Sequence, residues 1–242
     1  MPIGVICAIP QELTHLLDQL DAERRVRIAG TEFACGRIDD VPVVLVGAGM
    51  GKVNAALVTS LLVDRFGCSS VLFSGVAGGL DPGLAIGDIV IADRVVQIDA
   101  GTIAGERLSL YQAGHVESIN PTAELGYSVD AALMERVRMT FSGFALPGAA
   151  RLVYGLILTG DQYLHCEVTR ERLYREHGGR AIEMEGGAVA QVCERFSVPW
   201  LIVRALSDLA GSDALEDFAA FAEQVAGSSA AVVRRLLPQL NR

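Results

Sequence analysis

Ala181-Ile182-Glu183-Met184-Glu185-Gly186-Gly187 opens a helical pattern over residues 186–196, and Trp200-Leu201-Ile202-Val203-Arg204-Ala205-Leu206-Ser207-Asp208 follows it; this stretch decides how the 242-residue chain reads. The run at 200–203 is apolar, β-branched and too short for a helix, as expected of a strand buried on both faces beside a packed helix. Two carboxylates lie in the first apolar stretch, and an arginine and a third carboxylate stand at the end of the buried strand. Ionised groups are costly in such surroundings unless paired or used, so these residues mark a site as well as a fold.

Outward from there the pattern repeats. Short apolar runs occur at residues 3–8, 41–46, 70–73, 89–92 and 155–158, with helical periodicity over 10–20, 52–66, 131–141, 169–177 and 215–237. Residues 31–46, turning at Asp39-Asp40, read as a hairpin. The expected architecture is α/β: a three-layer αβα sandwich around a mixed, largely parallel sheet, forming one domain over residues 1–242. Residues 97–126, with Tyr111, His115 and Pro121, exceed the usual loop length and read as a lid or interface element. The last helix carries Phe218, Phe221, Val225, Val232 and Leu236 at helical spacing, an apolar side that closes the core.

Composition narrows the function classes. The hydrophobic fraction is 51% and the charged fraction 20%, with mean hydropathy +0.37, so the polar surface is lean and a partner subunit is expected to cover part of it. The formal charge is −9, and no lysine–arginine cluster is long enough to follow a phosphate backbone, which excludes nucleic acid as a partner. No apolar run reaches membrane-spanning length, and the N-terminus lacks a signal-like segment. Cys7, Cys35, Cys68, Cys166 and Cys193 are scattered without CxxC spacing, which fits reduced thiols in a cytoplasm and no metal centre.

Two glycine turns invite a nucleotide reading. Gly47-Ala48-Gly49-Met50-Gly51-Lys52 follows a strand and precedes a helix, but its spacing matches neither the P-loop nor the dinucleotide fingerprint. Taken alone it is equally a ligand-approaching turn and a plain turn with Lys52 solvated. Ser74-Gly75-Val76-Ala77-Gly78-Gly79-Leu80 sits at a strand's carboxyl end, where open α/β sheets bind ligands. Glu12 follows Pro10 in the first turn of a helix, where an acid is expected simply to complement the helix dipole. Asp161 suits the shaping of its own turn, and His115 and His165 read as surface or packing residues.

In order along the chain, Ile3-Gly4-Val5-Ile6 with Glu12, the 47–52 turn, residues 74–80 followed by Gly87-Asp88-Ile89-Val90, Thr159-Gly160-Asp161, Glu183-Met184-Glu185 and Arg204-Ala205-Leu206-Ser207-Asp208 resemble the nucleoside phosphorylase/nucleosidase family. The resemblance is strongest to the 5′-methylthioadenosine/S-adenosylhomocysteine nucleosidases and weakest over residues 97–150. It implies catalytic roles for Glu12, which would activate water, for Asp208, which would engage purine N7, and for Arg204 near water and sugar. It implies that Glu185 takes the ribose 2′- and 3′-hydroxyls with Met184 against the sugar, and that Ser207 neighbours the acid. Tyr163, Leu164 and Phe218 would surround the base, Ile9 and Met50 the sugar and its 5′ group, and Val76, Ala77 and Gly78 would approach the ligand from the glycine turn. Glu183 is counted among these contacts, although its own reading is structural, paired with a base.

The implied activity is hydrolysis of the N-glycosidic bond of a 5′-substituted adenosine by a cytoplasmic homodimer, without metal or organic cofactor. That chemistry suits the residues: positive charge grows on the sugar and negative charge on the departing purine, which carboxylates and a protonated acid oppose. Phosphorylases of the family place an arginine where this chain has Phe73, so water is the expected nucleophile. Val76 stands where these nucleosidases usually have serine. A relative acting on another adenosine derivative, of aminodeoxyfutalosine or adenosylhopane type, therefore stays open as an alternative; a phosphate-dependent phosphorylase and a non-catalytic nucleoside-binding protein are the remoter ones.

Overall fold

Ile3–Cys7 forms β1, buried along its whole length because strands flank it on both sides and helices cover both faces. The computed structural model describes residues 1–8, 10–116, 118–146 and 150–241, apart from the side chains of Glu223 and Ala226. β1 pairs in parallel with β4 (Val41–Gly47) and with β5 (Ser70–Gly79), and β5 pairs in parallel with β12 (Trp200–Asp208). On the far side of β12, β6 (Ile89–Gln97) runs antiparallel, and β10 (Leu152–Thr159) and β11 (Ala181–Glu183) follow in parallel. β11 then meets β5 through Ala181 opposite Gly79 and Ile182 opposite Gly78. β5, β12, β6, β10 and β11 thus curl into a closed ring, and the ring's mouth holds the site described below.

α2 (Lys52–Asp64) and α5 (Gly186–Phe196) pack on each other over one face; α1 (Pro10–Leu17), α3 (Ala131–Thr140) and α6 (Ala214–Leu240) cover the other. This is the expected three-layer α/β arrangement. Close approach shows in the sequence as glycine: a methyl on Gly4 would lie 2.9 Å from Leu62 of α2. α6 seats Val225, Val232 and Leu236, all buried, against the sheet. α4 (Glu167–His177) buries Leu173 in a second cluster with Leu80, Leu158 and Ile182. Among the described residues, no helix is long and apolar enough to cross a membrane.

The hairpin is formed by β3 (Thr31–Ile38) and β4, with Ile38 opposite Val41 and positive φ at both Asp39 and Asp40. That is the turn whose twist matches a two-residue connection, and aspartate tolerates it better than most residues. Other elements differ from the sequence reading. β5 runs on through glycines that read as a turn, and β12 through Arg204 to Asp208 beyond its apolar run, because neighbours on both sides supply their ladder bonds. β2 (Asp21–Ile28) is an exposed, charged edge strand beyond β3, without the apolar alternation that betrays a strand. The irregular segment contains a separate hairpin, β7 (Gly101–Ala104) and β8 (Arg107–Leu110), and is followed directly by the short strand β9 (Tyr127–Ser128) beside β6.

Candidate active site

Strand alternation turns Arg204 of β12 inward opposite Gly75 of β5, and the side chain is completely buried. Gly75 leaves the room for it: a methyl there would overlap Arg204 Nη1 and lie 3.0 Å from Glu12 Oε1. The guanidinium lies 3.9 Å over the ring of Phe73, which thus serves as its floor. Nη2 donates to Glu183 Oε2 at 2.5 Å and stands 3.6 Å from Glu185 Oε2. Glu183 also accepts from the amides of Glu185 (3.0 Å) and Gly186 (2.7 Å) and from Thr159 Oγ1. It therefore staples β10, β12 and the start of α5 together, and Arg204 is the base its structural reading required.

Glu185 caps nothing in its own helix. Its Oε1 accepts from the amide of Gly51, 2.7 Å away at the start of α2. Burial, foremost, and the charge of Glu183 raise its carboxyl to about 7, while Arg204 and the Gly51 amide pull it down and Glu12 adds to the rise. Glu12 is buried too, so dipole complementation is not its main work. Its Oε1 accepts from Val76 N at 2.5 Å and its Oε2 from Ala8 N at 3.0 Å, joining the end of β1 to the glycine turn of β5. One buried guanidinium thus faces three buried carboxylates, Glu183, Glu185 and Glu12. The cluster carries surplus negative charge.

Asp208, at the end of β12, accepts from Ser207 Oγ at 3.0 Å and from Ala210 N at 2.8 Å. Desolvation raises its pKa above the usual carboxylate value against these bonds. Beside it, burial and the Asp208 charge push the Tyr163 phenol up to about 12. Tyr163 meets Phe218 of α6 edge to face, with ring centroids 6.4 Å apart. These groups border a cavity of roughly 200 Å³.

Of the residues picked from sequence, Met50, Val76, Ala77, Gly78, Tyr163, Leu164, Glu183, Met184, Glu185, Ser207, Asp208 and Phe218 line this cavity. Glu12 and Arg204 do not line it; they lie behind Val76 and Glu185. Ile9 is outside the described residues. Ala8, Gln162, Ile182, Ala210 and Leu215 also line it and were not picked. Ala8, Gln162 and Ile182 adjoin residues that were, and adjacency was their signal; Ala210 and Leu215 gave none. His115 bonds Asn120 O and His165 bonds Ser212 O, and neither lines the cavity.

The 47–52 turn does not present a free anion site. The amide of Lys52 donates to Asp161 Oδ1 at 2.9 Å, and Lys52 Nζ pairs with Asp99 Oδ1 at 2.7 Å rather than standing in solvent. The amides of Gly51 and Lys52 are therefore occupied by the protein's own carboxylates, Glu185 and Asp161. Among the described residues, no group of histidine, cysteine and acidic side chains is arranged to hold a metal.

The model of the phosphorylase superfamily matches residues 2–238. The chain is 56% identical to the 5′-methylthioadenosine/S-adenosylhomocysteine nucleosidase of Mycobacterium bovis, over 98% of this chain and 97% of that one. The crystal structure of the Helicobacter pylori enzyme of the same name superposes with a TM-score of 0.87 at 29% identity, covering 99% of both chains. The futalosine hydrolase of Helicobacter pylori superposes with a TM-score of 0.86 at 30% identity, over 99% of this chain and 98% of that one. With identity sustained over nearly the whole length, the chain belongs to the phosphorylase superfamily and, within it, to the 5′-methylthioadenosine/S-adenosylhomocysteine nucleosidase family.

Proposed function

We propose that this chain is a purine nucleosidase that hydrolyses 5′-substituted adenosines, methylthioadenosine and S-adenosylhomocysteine, to adenine and the free sugar. The observation that carries the reading is the meeting of Glu185 and Asp208 on one apolar-walled cavity with Glu12 directly behind it. Water attacks C1′ and gives its proton to Glu12; the C1′–N9 pair leaves with the purine, whose N7 takes the proton of Asp208. Glu185 holds the ribose hydroxyls through the oxygen not committed to Gly51. The surplus negative charge of the Glu183–Glu185–Glu12 cluster opposes the positive charge that develops on the sugar. Arg204, buried beneath, keeps two of those carboxylates in register and acts as a positioning residue.

Water rather than phosphate follows from the same inventory. A phosphate needs free cations or amides at the cavity, and here Lys52 and the amides of Gly51, Lys52 and Val76 already serve carboxylates, while Arg204 is buried outside the cavity lining and paired with Glu183. A second reading rests on the likeness to a futalosine hydrolase: the base and ribose contacts stay and only the 5′ group differs. We further propose a cytoplasmic homodimer built from one domain. Met50 in the turn before α2, Val53 and Leu57 exposed along α2, and Ile103 and Ile119 of the irregular segment supply the apolar surface for it. The test is adenine release from a panel of adenosine derivatives with and without phosphate. Release of adenine from methylthioadenosine in phosphate-free buffer is expected; turnover only on adding phosphate refutes the hydrolytic reading.

A further inference from the structure

Two loops line the cavity, one through Met50 and the other through Gln162, Tyr163 and Leu164, and one ion network ties them to a third at Asp99. Lys52 Nζ pairs with Asp99 Oδ1 (2.7 Å), Asp99 Oδ2 accepts from the amide of Asp161 (3.0 Å), and Asp161 Oδ1 accepts from the amide of Lys52 (2.9 Å). The ring thus closes on itself. Lys52 and Asp99 are each about four-fifths buried, with side chains 21% and 18% exposed, so the pair is shielded enough to hold a fixed geometry. Gly51, the residue before Lys52, has φ +94°, and a methyl on it would lie 3.2 Å from Asp161 Oδ1. Its conformation aims its amide at Glu185 Oε1, 2.7 Å away. On the other side of the ring, Gln162, Tyr163 and Leu164 follow Asp161 directly into the cavity wall.

We propose that Lys52, Asp99 and Asp161 are positioning residues that hold the Gly51 amide on Glu185 and thereby orient its second oxygen toward the ribose hydroxyls. This rests on the assignment of Glu185 to the ribose. Breaking the ring frees the start of α2, and Glu185 then loses the one amide that fixes its rotamer. Catalytic geometry is sensitive to displacements on the order of 1 Å. Loosening on the Asp161 side also reaches Tyr163 and Leu164 in the cavity wall, a change common to all adenosine substrates, so the hydroxyl contact is read as the extra loss on a substrate that carries both hydroxyls.

The test compares 5′-methylthioadenosine with its 3′-deoxy analogue, which lacks a hydroxyl for Glu185 but leaves the electronics at C1′ nearly untouched. In wild type, kcat/KM is expected to be higher on the ribonucleoside. Lys52→Met and Asp99→Asn should each lower kcat/KM on the ribonucleoside about tenfold and by a smaller factor on the 3′-deoxy analogue, which keeps only the 2′-hydroxyl contact, with Lys52→Arg recovering most of the loss. Two variants on opposite sides of the pair, each checked for a cooperative melt, guard against a misfolded protein. Equal losses on both substrates, or no loss in either folded variant, overturn the positioning role while leaving the ribose assignment standing. A wild type that does not discriminate the two substrates overturns the ribose assignment and this inference with it.

Discussion

Replacing Glu185 with glutamine tests whether the site really stores uncompensated negative charge. Glutamine keeps a carbonyl to accept from the Gly51 amide and matches the side chain in size, so the substitution removes charge and little else. In the folded protein the Glu185 carboxyl is raised from 4.5 to about 7, which corresponds to about 3 kcal/mol of differential proton binding between folded and unfolded states. The sign follows from the raised value. Below the unfolded pKa the proton is held in both states and the stabilising contribution is complete; as pH rises through about 7 the folded protein must ionise against burial and Glu183, and that contribution is lost. Wild type and Glu185→Gln should therefore have similar stability near pH 5, whereas near pH 8.5 the variant should be more stable by about 3 kcal/mol. For a chain of this size that is a difference of roughly 6–12 °C in Tm. Urea unfolding of both proteins at the two pH values, at one protein concentration, measures it. A stability difference that does not change with pH, or a variant weaker than wild type at the higher pH, refutes the reasoning.

Asp208→Asn removes the proton donor but keeps the acceptor for Ala210 N; kcat should fall about 10²–10⁴-fold while nucleoside binding, followed by calorimetry, persists. Loss of affinity without loss of turnover would contradict the acid role. Gly75→Ala forces a methyl against the buried Arg204 guanidinium, which its bond to Glu183 and the ring of Phe73 hold in place; overpacking of this kind costs about 1–3 kcal/mol or more. A Tm within about 1 °C of wild type would show that the guanidinium has room to move.

The fold was legible where burial imposes a pattern. Runs such as Ile3–Cys7 and the start of Trp200–Asp208 are apolar throughout because both faces are covered, and that pattern survives in one dimension. β2 was not legible because an edge strand exposed on both sides has no apolar face to reveal its period; only its ladder with β3 makes it a strand. The far ends of β5 and β12 were obscured for the opposite reason. Gly75, Gly78 and Gly79 look like turn residues, yet they are small because Arg204, Asp208 and Leu206 crowd them from the neighbouring strand.

The site divides along the same line. Carboxylates in apolar surroundings announce themselves, so Glu183, Glu185 and Asp208 could be found without coordinates. What each one does depends on partners that topology brings from far away: Asp99 to Lys52 across 47 positions and Gly51 to Glu185 across 134. Phe73 shows the difference well. In sequence it is evidence against phosphate, because no cation stands there; in the structure it is the apolar floor that keeps Arg204 dry. Val76 likewise lacks a hydroxyl, yet its amide holds Glu12, a contact that any residue but proline at that position can make. A buried cluster with more acid than base is unfavourable for the empty protein and favourable for a sugar turning cationic, so the pH-dependent loss of stability at Glu185 and the proposed stabilisation of the transition state are one electrostatic property seen with and without substrate.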